Sequence, residues 1–589
     1  MQREKYAVPL CYNFCMPELH RLHKEIHTVL IGGAAGDGVR EAGISLGQLL
    51  AKVGYEVFAS IDYPSLIRGG HNSCRVSFSK EKITSDYSNL DTVVALNEET
   101  VKLHMNELGE NGVIFADSFE DEGKTKLGAH AVELPMSAFA KEINALPIMR
   151  NSTALGAVCY LLDLPLEMMI ERLRIVFKEK GHEANITLAK MGYEFMEKLK
   201  FKHTKQIYRE KIPDKKEFIE GNIAFAKGLV AAGPNFYISY PMTPSSSILH
   251  YLARNQTDLG IKVIQPENEL AVINMALGMA YAGKRVAIGT AGGGFALMQE
   301  AFSLAGMAEL PLVVALSQRQ APATGSPTHT AQGDLQFAIH AGHGEFPRIV
   351  LAPGDAEEAF ECGAEALNLA WEHQLPVIVL LDKQLSESLS TAKLDAGKIK
   401  IENGEILHKV SGHYGRYAIT ESGVSPMVFP GTPGAVVKVS SYEHDEDGIT
   451  TEDPKIVKAM GDKRFAKAKG IKKEMARNTA VKVYGDPKSK NVIVFWGSTK
   501  GAVLEAAKHL DKPAKLVQIV WLVPFDSKKV TEELEDAKKI IDVEANRMAQ
   551  LASLIREKTG IAVSDKILRY DSVPFDTIEL AEQLNAALK

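Results

Sequence analysis

The sequence predicts a multidomain α/β protein whose sheets are mostly parallel and covered by helices on both faces. Short apolar runs alternate with helical patterns in three stretches of the chain, which is typical of βα units. A charged segment over 201–214 and a long irregular segment over 396–490 separate these stretches. A chain of 589 residues has room for three or four domains at roughly 150 residues each. We therefore expect an N-terminal extension over 1–25 and domains over 26–200, 215–395 and 491–589.

The first stretch begins with an apolar strand, a glycine turn and a helix. The strand is expected over 27–31, the turn is Gly32-Gly-Ala-Ala-Gly-Asp-Gly38, and the helix over 39–53 has apolar residues three and four positions apart. Strands over 92–96 and 112–116 continue the alternation, which ends in helices near residue 200. The turn lacks the G-x-G-x-x-G spacing of a dinucleotide fold. A tight turn that needs positive φ and an anion-binding loop are therefore equally open.

The second stretch places polar residues directly after its strands. A strand over 235–240 leads into Tyr240-Pro-Met-Thr-Pro-Ser-Ser-Ser247, an extended loop because Pro241 and Pro244 interrupt any helix or central strand. The other expected elements are a helix over 221–232, a strand over 262–265, a helix over 269–282, a strand over 285–289, a turn at 292–294, a helix to 308, and a strand over 312–316 that precedes Arg319. Because open α/β sheets bind ligands beyond the carboxyl ends of their strands, these loops form the candidate site.

The third stretch follows a segment of different composition. Glycine and proline are frequent early in 396–490 and charged residues later, with a helix expected near 455–477. We interpret this segment as a connecting arm, and either packing on a partner chain or a solvated linker would explain its charge. Strands over 492–496, 515–520 and 539–543 then begin the last βα series.

Composition narrows the class of function. The net charge of −6 argues against nucleic-acid binding, which would require a basic face. The scattered charges in 1–25 are unlike a signal peptide, and no apolar run approaches the ~18 residues that span a bilayer, so we expect a soluble cytoplasmic protein without membrane contact. Five cysteines, of which Cys11 and Cys15 are the nearest pair, lack the spacing of an iron–sulfur motif and indicate a reducing compartment. The sequence predicts no metal ligands.

One helix in the second stretch begins with an acid and is otherwise uncharged. Glu269 opens Glu269-Leu-Ala-Val-Ile-Asn-Met-Ala-Leu-Gly278. Burial at such a position would raise the pKa of the carboxyl and let it hold a proton near neutral pH. An acid in the first turn of a helix also complements the helix dipole without any catalytic role. Glu267, two residues earlier, is the alternative candidate for an acid that holds a proton.

An arginine and two threonines lie in the neighbouring loops. Arg319 follows a buried strand, and a planar guanidinium can bind the carboxylate of a 2-oxoacid through two hydrogen bonds. Thr243 and Thr328 could donate hydroxyl hydrogen bonds to the same substrate. The alternatives are an arginine that bonds only to loop carbonyls and threonines that only form proline-rich turns.

The loop Tyr240–Ser247, the helix that begins at Glu269 and the loop that contains Arg319, in this order, resemble the α subunit of the 2-oxoacid:ferredoxin oxidoreductases. The rest of the chain resembles a form of this subunit with a γ domain fused before it. Gly33-Ala-Ala-Gly-Asp-Gly38 and Tyr63-Pro-Ser-Leu-Ile-Arg-Gly-Gly-His71 are similar to the γ domain. Glu443-His-Asp-Glu446 and Val543-Glu-Ala-Asn546 are similar to the arm and to a transketolase-C-terminal-like domain. The resemblance implies a γ-type α/β domain, a doubly wound pyrimidine-binding domain for thiamine diphosphate and a transketolase-C-terminal-like α/β domain, as in the two-subunit enzymes.

The resemblance also implies roles for individual residues. Glu269 matches the acid at N1′ of thiamine diphosphate, because the Met-Ala-x-Gly block over 275–278 has the family spacing when counted from Glu269 rather than Glu267. The candidate catalytic residues are Glu269, Thr243 and Arg319. The family's substrate-binding positions are matched by Thr243, Arg319 and Thr328, and its cofactor-binding positions by Tyr240, Pro241 and Glu269. The candidates for coenzyme A binding are Gly36, Gly38, Arg68, Gly69 and Gly70.

A partner and a reaction follow from the same resemblance. A β subunit would supply Mg²⁺ at the diphosphate and a [4Fe–4S] cluster, in an αβ or (αβ)₂ assembly. The reaction would convert a 2-oxoacid, coenzyme A and oxidised ferredoxin into acyl-CoA, CO₂ and reduced ferredoxin. The expected substrate is 2-oxoglutarate, with pyruvate and branched 2-oxoacids as alternatives. A non-oxidative thiamine diphosphate enzyme and a non-catalytic nucleotide-binding subunit stay open.

Overall fold

A computed structural model describes residues 26–64, 70–117, 131–177, 181–201, 216–477 and 479–589. The strands within these ranges are β1 His27–Ala34, β2 Glu56–Asp62, β3 His71–Ser79, β4 Leu90–Ala95, β5 Leu108–Ala116, β6 Ala131–Glu133, β7 Glu217–Glu220, β8 Phe236–Ser239, β9 Lys262–Ile264, β10 Val286–Thr290, β11 Leu312–Gln318, β12 Ile349–Leu351, β13 Pro376–Asp382, β14 Leu389–Ala392, β15 Val481–Gly485, β16 Asn491–Phe495, β17 Lys515–Ile519, β18 Trp521–Val523, β19 Lys539–Glu544 and β20 Asp565–Leu568.

The α-helices cover the faces of the sheets. They are α1 Val39–Lys52, α2 Glu98–His104, α3 Met136–Glu142, α4 Asn151–Leu161, α5 Leu166–Phe177, α6 His182–Lys198, α7 Gly221–Ala231, α8 Ser246–Leu259, α9 Glu269–Tyr281, α10 Gly292–Leu297, α11 Gln299–Met307, α12 Leu335–Ile339, α13 Ala356–His373, α14 Lys383–Glu387, α15 Pro454–Ala466, α16 Ala468–Arg477, α17 Thr499–Ala507, α18 Ser527–Leu534, α19 Gln550–Thr559 and α20 Thr577–Ala587. Within the described ranges, no helix combines the length and apolarity needed to cross a membrane.

The first sheet is mixed and has the strand order β6-β5-β4-β1-β3-β2-β14-β7. Strand β1 runs parallel to β4 and antiparallel to β3. It is longer than predicted, because Gly32 and Gly33 pair with Ser73 and Asn72 of β3 instead of starting a turn. The predicted turn over 32–38 was therefore wrong at its start, and the chain turns only after Ala34.

Two strands of this sheet come from outside the predicted first domain. Strand β14 pairs antiparallel with β2 and with β7, so both ends of the predicted second domain extend the first sheet. Further contacts join the domains: the Tyr87 hydroxyl donates to Glu505 at 2.7 Å, and the Lys500 ammonium donates to Glu358 at 2.5 Å. The domain boundaries stay predictions, but the sheets themselves cross them.

The second sheet is the predicted parallel one. Its order is β18-β12-β13-β11-β10-β8-β9, and the six strands from β8 to β13 pair in parallel while β18 pairs antiparallel. The third sheet has the order β15-β17-β16-β19-β20, with β15 antiparallel and the rest parallel. The multidomain α/β fold class is confirmed.

The connecting arm packs on the second domain through buried charges. Lys463 of α15 and the neighbouring Lys467 both form ion pairs with Glu309, at 2.8 and 2.5 Å, and all three side chains are buried. Burial alone would raise the pKa of Glu309, but Lys467 and Lys463 lower it to about 2. This end of the arm is thus neither a solvated linker nor dependent on a partner chain for its packing. The single helix expected near 455–477 is two helices, α15 and α16.

Helices α7 and α13 approach each other so closely that their glycines have no room for a side chain. A Cβ atom on Gly228 would overlap the carbonyl oxygen of Phe360, whereas one on Gly461 in α15 would meet no atom within 4 Å. We predict that Gly228→Ala lowers the free energy of unfolding by about 2–3 kcal/mol through overpacking. Gly461→Ala should be neutral or slightly stabilising, because alanine favours helix. Thermal unfolding of both variants checks this, and equal unfolding midpoints would contradict the close helix contact.

Candidate active site

Four loops with polar residues meet at one edge of the second sheet. They follow β11, β10, β8 and β9, which are neighbours in that order, so the carboxyl ends of four parallel strands lie side by side. From β8 the chain moves to β9 on one side and then to β10 on the other. The crevice beside β8 is therefore a topological switch point, where open α/β sheets bind ligands.

The loop after β8 is held by buried polar contacts. The Asn222 side-chain amide donates to the Pro244 carbonyl oxygen at 2.8 Å and to the Ser247 hydroxyl at 2.9 Å. The Ser245 hydroxyl donates to the Met242 carbonyl at 2.8 Å. The loop is thus fixed from its C-terminal side, and it leaves Tyr240 partly exposed at the sheet edge.

Glu269 lies where the sequence predicted it, as the buried first residue of α9. The Asn268 side chain caps the helix by accepting from the Ala271 amide at 2.9 Å. As a whole residue Glu269 is only 6% exposed, and no described residue forms a hydrogen bond with its carboxylate. Glu267 lies outside the helix and is exposed. The structure therefore separates the two candidate acids by burial.

Room for the Glu269 carboxyl is provided by a glycine of α10. A Cβ atom on Gly294 would come within 2.8 Å of the Glu269 side chain and would overlap the Thr290 hydroxyl. Residues 292–294 were predicted as a turn, which was wrong: Gly292 begins α10, and the Phe295 amide donates to the Ala291 carbonyl at 2.9 Å. The glycines there serve close packing against side chains rather than a turn.

Arg319 is oriented by the loop after β8. One of its terminal N–H groups donates to the Thr243 carbonyl oxygen at 2.7 Å. Burial lowers the pKa of the guanidinium, while nearby Asp334 raises it. A guanidinium has five N–H groups, so donors remain for a ligand. Thr243 thus contacts Arg319 through its backbone, which the sequence could not reveal.

Asp334 is a candidate site residue that sequence reasoning missed. Burial raises its pKa to about 6, and Arg319 opposes this shift. Its amide donates to the Gln318 side chain at 2.9 Å, and its carboxyl lies against Gly292, where a Cβ atom would come within 2.7 Å. An acid in a glycine-containing loop is too common a pattern to have identified it.

A cleft of about 730 Å³ opens beside Arg319 and Asp334. Its other wall belongs to the C-terminal domain and includes Ala545, Asn546, Arg547, Met548, Gln550 and Tyr570. Gln332 joins the two walls. Its backbone N–H donates to the Ala545 carbonyl at 2.8 Å, and its side chain donates to the Trp496 carbonyl at 2.9 Å and accepts from the Ala545 amide at 2.9 Å.

Thr328 lies in a different cavity from the one that contains Arg319. Its hydroxyl is buried without a hydrogen-bond partner. It lines a second cavity of about 360 Å³, together with Arg75 of the first domain, Lys383 of the second and Asp576 of the C-terminal domain. The three predicted substrate-binding residues are therefore not all together. Thr243 and Arg319 are in contact, whereas Thr328 lies in the cavity where the three domains meet.

The glycine turn of the first domain is closed by its own side chains. Gly36 and Gly38 have φ values of 99° and 75°, which favour glycine. Asp37 accepts a hydrogen bond from the Ala34 amide at 2.9 Å and pairs with Arg150 at 3.1 Å. These contacts fix the conformation of the turn. Gly70 has a φ of 80°, while Arg68, Gly69 and both N-terminal cysteines lie outside the described residues.

The described cysteines are buried and lie apart from the cleft. Burial raises the pKa of the Cys74 and Cys159 thiols to about 12. Over the described ranges, no group of three His, Cys, Asp or Glu side chains could hold a metal ion.

Comparison with known proteins agrees with this architecture. A family model described as pyruvate ferredoxin/flavodoxin oxidoreductase matches residues 28–195, and one described as the thiamine diphosphate-binding part of pyruvate flavodoxin/ferredoxin oxidoreductase matches residues 227–462. The 2-oxoacid:ferredoxin oxidoreductase subunit alpha of Sulfolobus sp is 34% identical over 612 residues, covering 95% of this chain and 96% of the relative. The chain belongs to the 2-oxoacid:ferredoxin oxidoreductase family, as an α subunit.

Other members of the family extend the match. The 2-oxoglutarate oxidoreductase subunit KorA of Mycobacterium tuberculosis is 28% identical over 615 residues, covering 97% of this chain and 93% of the relative. A solved structure of the 2-oxoglutarate:ferredoxin oxidoreductase from Magnetococcus marinus, with 2-oxoglutarate, coenzyme A and succinyl-CoA bound, has a TM-score of 0.87 and 30% identity, covering 96% of this chain and all of that chain. The family resemblance is confirmed, and the enzyme is an oxidoreductase with an iron–sulfur protein as acceptor.

Because the pKa of Asp334 is raised, the free energy of unfolding of this α subunit should depend on pH. Asp334 is half-buried, and a carboxyl with a pKa of about 6 in the folded state and near 3.8 in the unfolded state destabilises the fold above pH 6. This cost disappears as the pH falls toward 4. We predict that Asp334→Asn raises the free energy of unfolding at pH 8 more than at pH 4.5, by on the order of 2 kcal/mol. Thermal unfolding at both pH values measures this, with the exposed Asp258→Asn as control. An Asp334→Asn effect that is equal at the two pH values would contradict the raised pKa.

Proposed function

We propose that this α subunit supplies one half of a thiamine diphosphate site for the oxidative decarboxylation of 2-oxoglutarate with coenzyme A and ferredoxin. The observation that carries the proposal is Glu269, a buried residue whose carboxylate has no hydrogen bond to any described residue. Its side chain packs against Gly294, which follows β10, the strand next to the one that precedes Arg319. A carboxylate with no protein partner is available to form a hydrogen bond with a ligand. This position is therefore suited to an acid that contacts a cofactor.

The residues present fit thiamine diphosphate. When bound, the cofactor supplies the nucleophile and the store of electrons for the reaction. Glu269 would hold a proton toward the pyrimidine ring, and Gly294 leaves the space that the acid needs. Tyr240 and Pro241 begin the adjoining loop, at the same edge of the sheet. All of these residues follow β8, β9 and β10, which are neighbours in the sheet, and this supports one common ligand.

The substrate carboxylate would bind to Arg319. Its bond to the Thr243 carbonyl fixes the guanidinium but leaves several N–H donors, enough for a two-point contact with a carboxylate. Thr243 therefore acts here as a positioning residue through its backbone. Thr328, with its unpartnered hydroxyl in the neighbouring cavity, would contribute only if the ligand extends toward the domain junction.

A β subunit would complete the site. Large apolar side chains flank Glu269 on the exposed surface: Leu270 is 51% exposed, Met275 38% and Leu297 54%. Exposed apolar patches of this kind are typical of protein interfaces. The partner would bring Mg²⁺ with the diphosphate-binding residues and the [4Fe–4S] cluster that passes electrons to ferredoxin, in an αβ or (αβ)₂ assembly.

The proposed choice of 2-oxoglutarate and coenzyme A rests on relatives. KorA of M. tuberculosis is named a 2-oxoglutarate oxidoreductase subunit, and the M. marinus enzyme was solved with 2-oxoglutarate, coenzyme A and succinyl-CoA bound. Pyruvate and branched 2-oxoacids are the competing substrates. We keep Gly36, Gly38, Arg68, Gly69 and Gly70 as the candidate contacts for coenzyme A.

The role of Glu269 is tested by two matched substitutions. We predict that Glu269→Gln, in the complex with the β subunit, lowers the release of CO₂ from 2-oxoglutarate by at least about 100-fold, the usual contribution of a positioned acid or base. Glu267→Gln removes the same charge from an exposed position two residues away and should leave the rate unchanged. Size-exclusion chromatography should show intact complexes for both variants.

Two results would count against this assignment. Full turnover by Glu269→Gln would exclude the acid from the reaction. A loss of activity that accompanies dissociation of the complex would show that Glu269 acts in assembly instead.

A further inference from the structure

The cleft beside Arg319 has a second cationic side chain on its opposite wall. Of the described residues that line it, Arg319 and Arg547 are cationic and Asp334 is acidic, while the others are uncharged. Arg319 comes from the loop after β11, and Arg547 follows β19 of the C-terminal domain. The lining therefore carries an excess of positive charge, which favours an anionic ligand.

Arg547 is free of acidic partners in the described part of the chain. None of the ion pairs there includes it, and its guanidinium carbon lies 5.8 Å from the centroid of the Tyr570 ring. An arginine held over an aromatic face keeps its N–H groups available in the plane of the guanidinium. Arg547 can thus donate hydrogen bonds into the cleft.

The two arginines are held on walls that are bonded to each other. Gln332 bonds to Ala545, two residues before Arg547, through both its backbone and its side chain. Asn546 donates from its side chain to the Gln332 carbonyl at 3.2 Å. The two segments that carry the arginines are therefore bonded to each other, and both arginines line the cleft between them.

We propose that Arg547 binds the distal carboxylate of a dicarboxylic 2-oxoacid whose 1-carboxylate is bound by Arg319. This inference rests on the proposed function and assigns the preference for 2-oxoglutarate to a residue of the C-terminal domain. A 2-oxoacid with an uncharged tail would bind to Arg319 in the same way but would gain nothing from Arg547.

The test compares 2-oxoglutarate with 2-oxopentanoate, which has the same chain length and no distal carboxylate. In the complete enzyme, Arg547→Gln should lower kcat/KM for 2-oxoglutarate at least about 10-fold, as expected for the loss of a charged hydrogen bond. The value for 2-oxopentanoate should change less than about twofold, and the KM for coenzyme A should stay the same. Arg547→Lys should retain part of the preference, because it retains the charge.

A matched control is Arg556→Gln, which removes an exposed arginine from α19 away from the cleft and should change none of these constants. Equal losses for both substrates, or no loss for either, would overturn the inference. A change confined to the KM for coenzyme A would show that Arg547 binds the cosubstrate instead. If the unaltered enzyme oxidises only monocarboxylic 2-oxoacids, this inference fails and the proposed reaction class stands. If it oxidises none, the proposed function itself fails.

Discussion

The candidate active-site cleft depends on Gln332, a fully buried residue that bonds the second domain to the C-terminal domain. Its N–H, its carbonyl and both polar atoms of its side chain all bond to residues 496, 545 and 546. Buried amides that lose such partners cost free energy, so the two domains are held in one arrangement. The loop that carries Gln332 also carries Asp334, and the segment that receives it carries Arg547. Gln332 therefore helps to fix the distance between the two walls, together with Gln550, whose side chain donates to the Gly333 carbonyl at 2.8 Å and accepts from the Gln336 amide at 2.8 Å.

Strand exchange between the sheets adds a second constraint. Strands β7 and β14 complete the first sheet from either end of the second domain, and β18 of the C-terminal part extends the second sheet. With the ion pairs of Glu309 and Lys500, these contacts join the domains at several points. Side chains from different domains can thus form cavities with fixed geometry, as around Thr328, where three domains meet.

The sequence predicted the parts of this fold that repeat and missed those that depend on distant partners. The βα pattern from β8 to β11 was predictable because each buried strand is followed by a helix and a polar loop. Strands β7 and β18 have four and three residues, too few to show a period, and their pairing partners lie far along the chain. Glu269 was predictable because it opens an uncharged helix. Asp334 was missed because its environment arises from Gly292 and Arg319, which only the fold brings beside it.

In the proposed function, the site is one side of a shared active centre. This chain contributes a buried acid, a fixed guanidinium and a cationic cleft, and the proposed partner contributes the metal, the diphosphate site and the path for electrons. The most direct measurement is the 2-oxoglutarate-dependent reduction of ferredoxin, with thiamine diphosphate, Mg²⁺ and coenzyme A present, by this chain alone and after reconstitution with its β subunit. A shared site predicts no reduction by the chain alone and sustained turnover by the complex. Equal rates with and without the β subunit would contradict it.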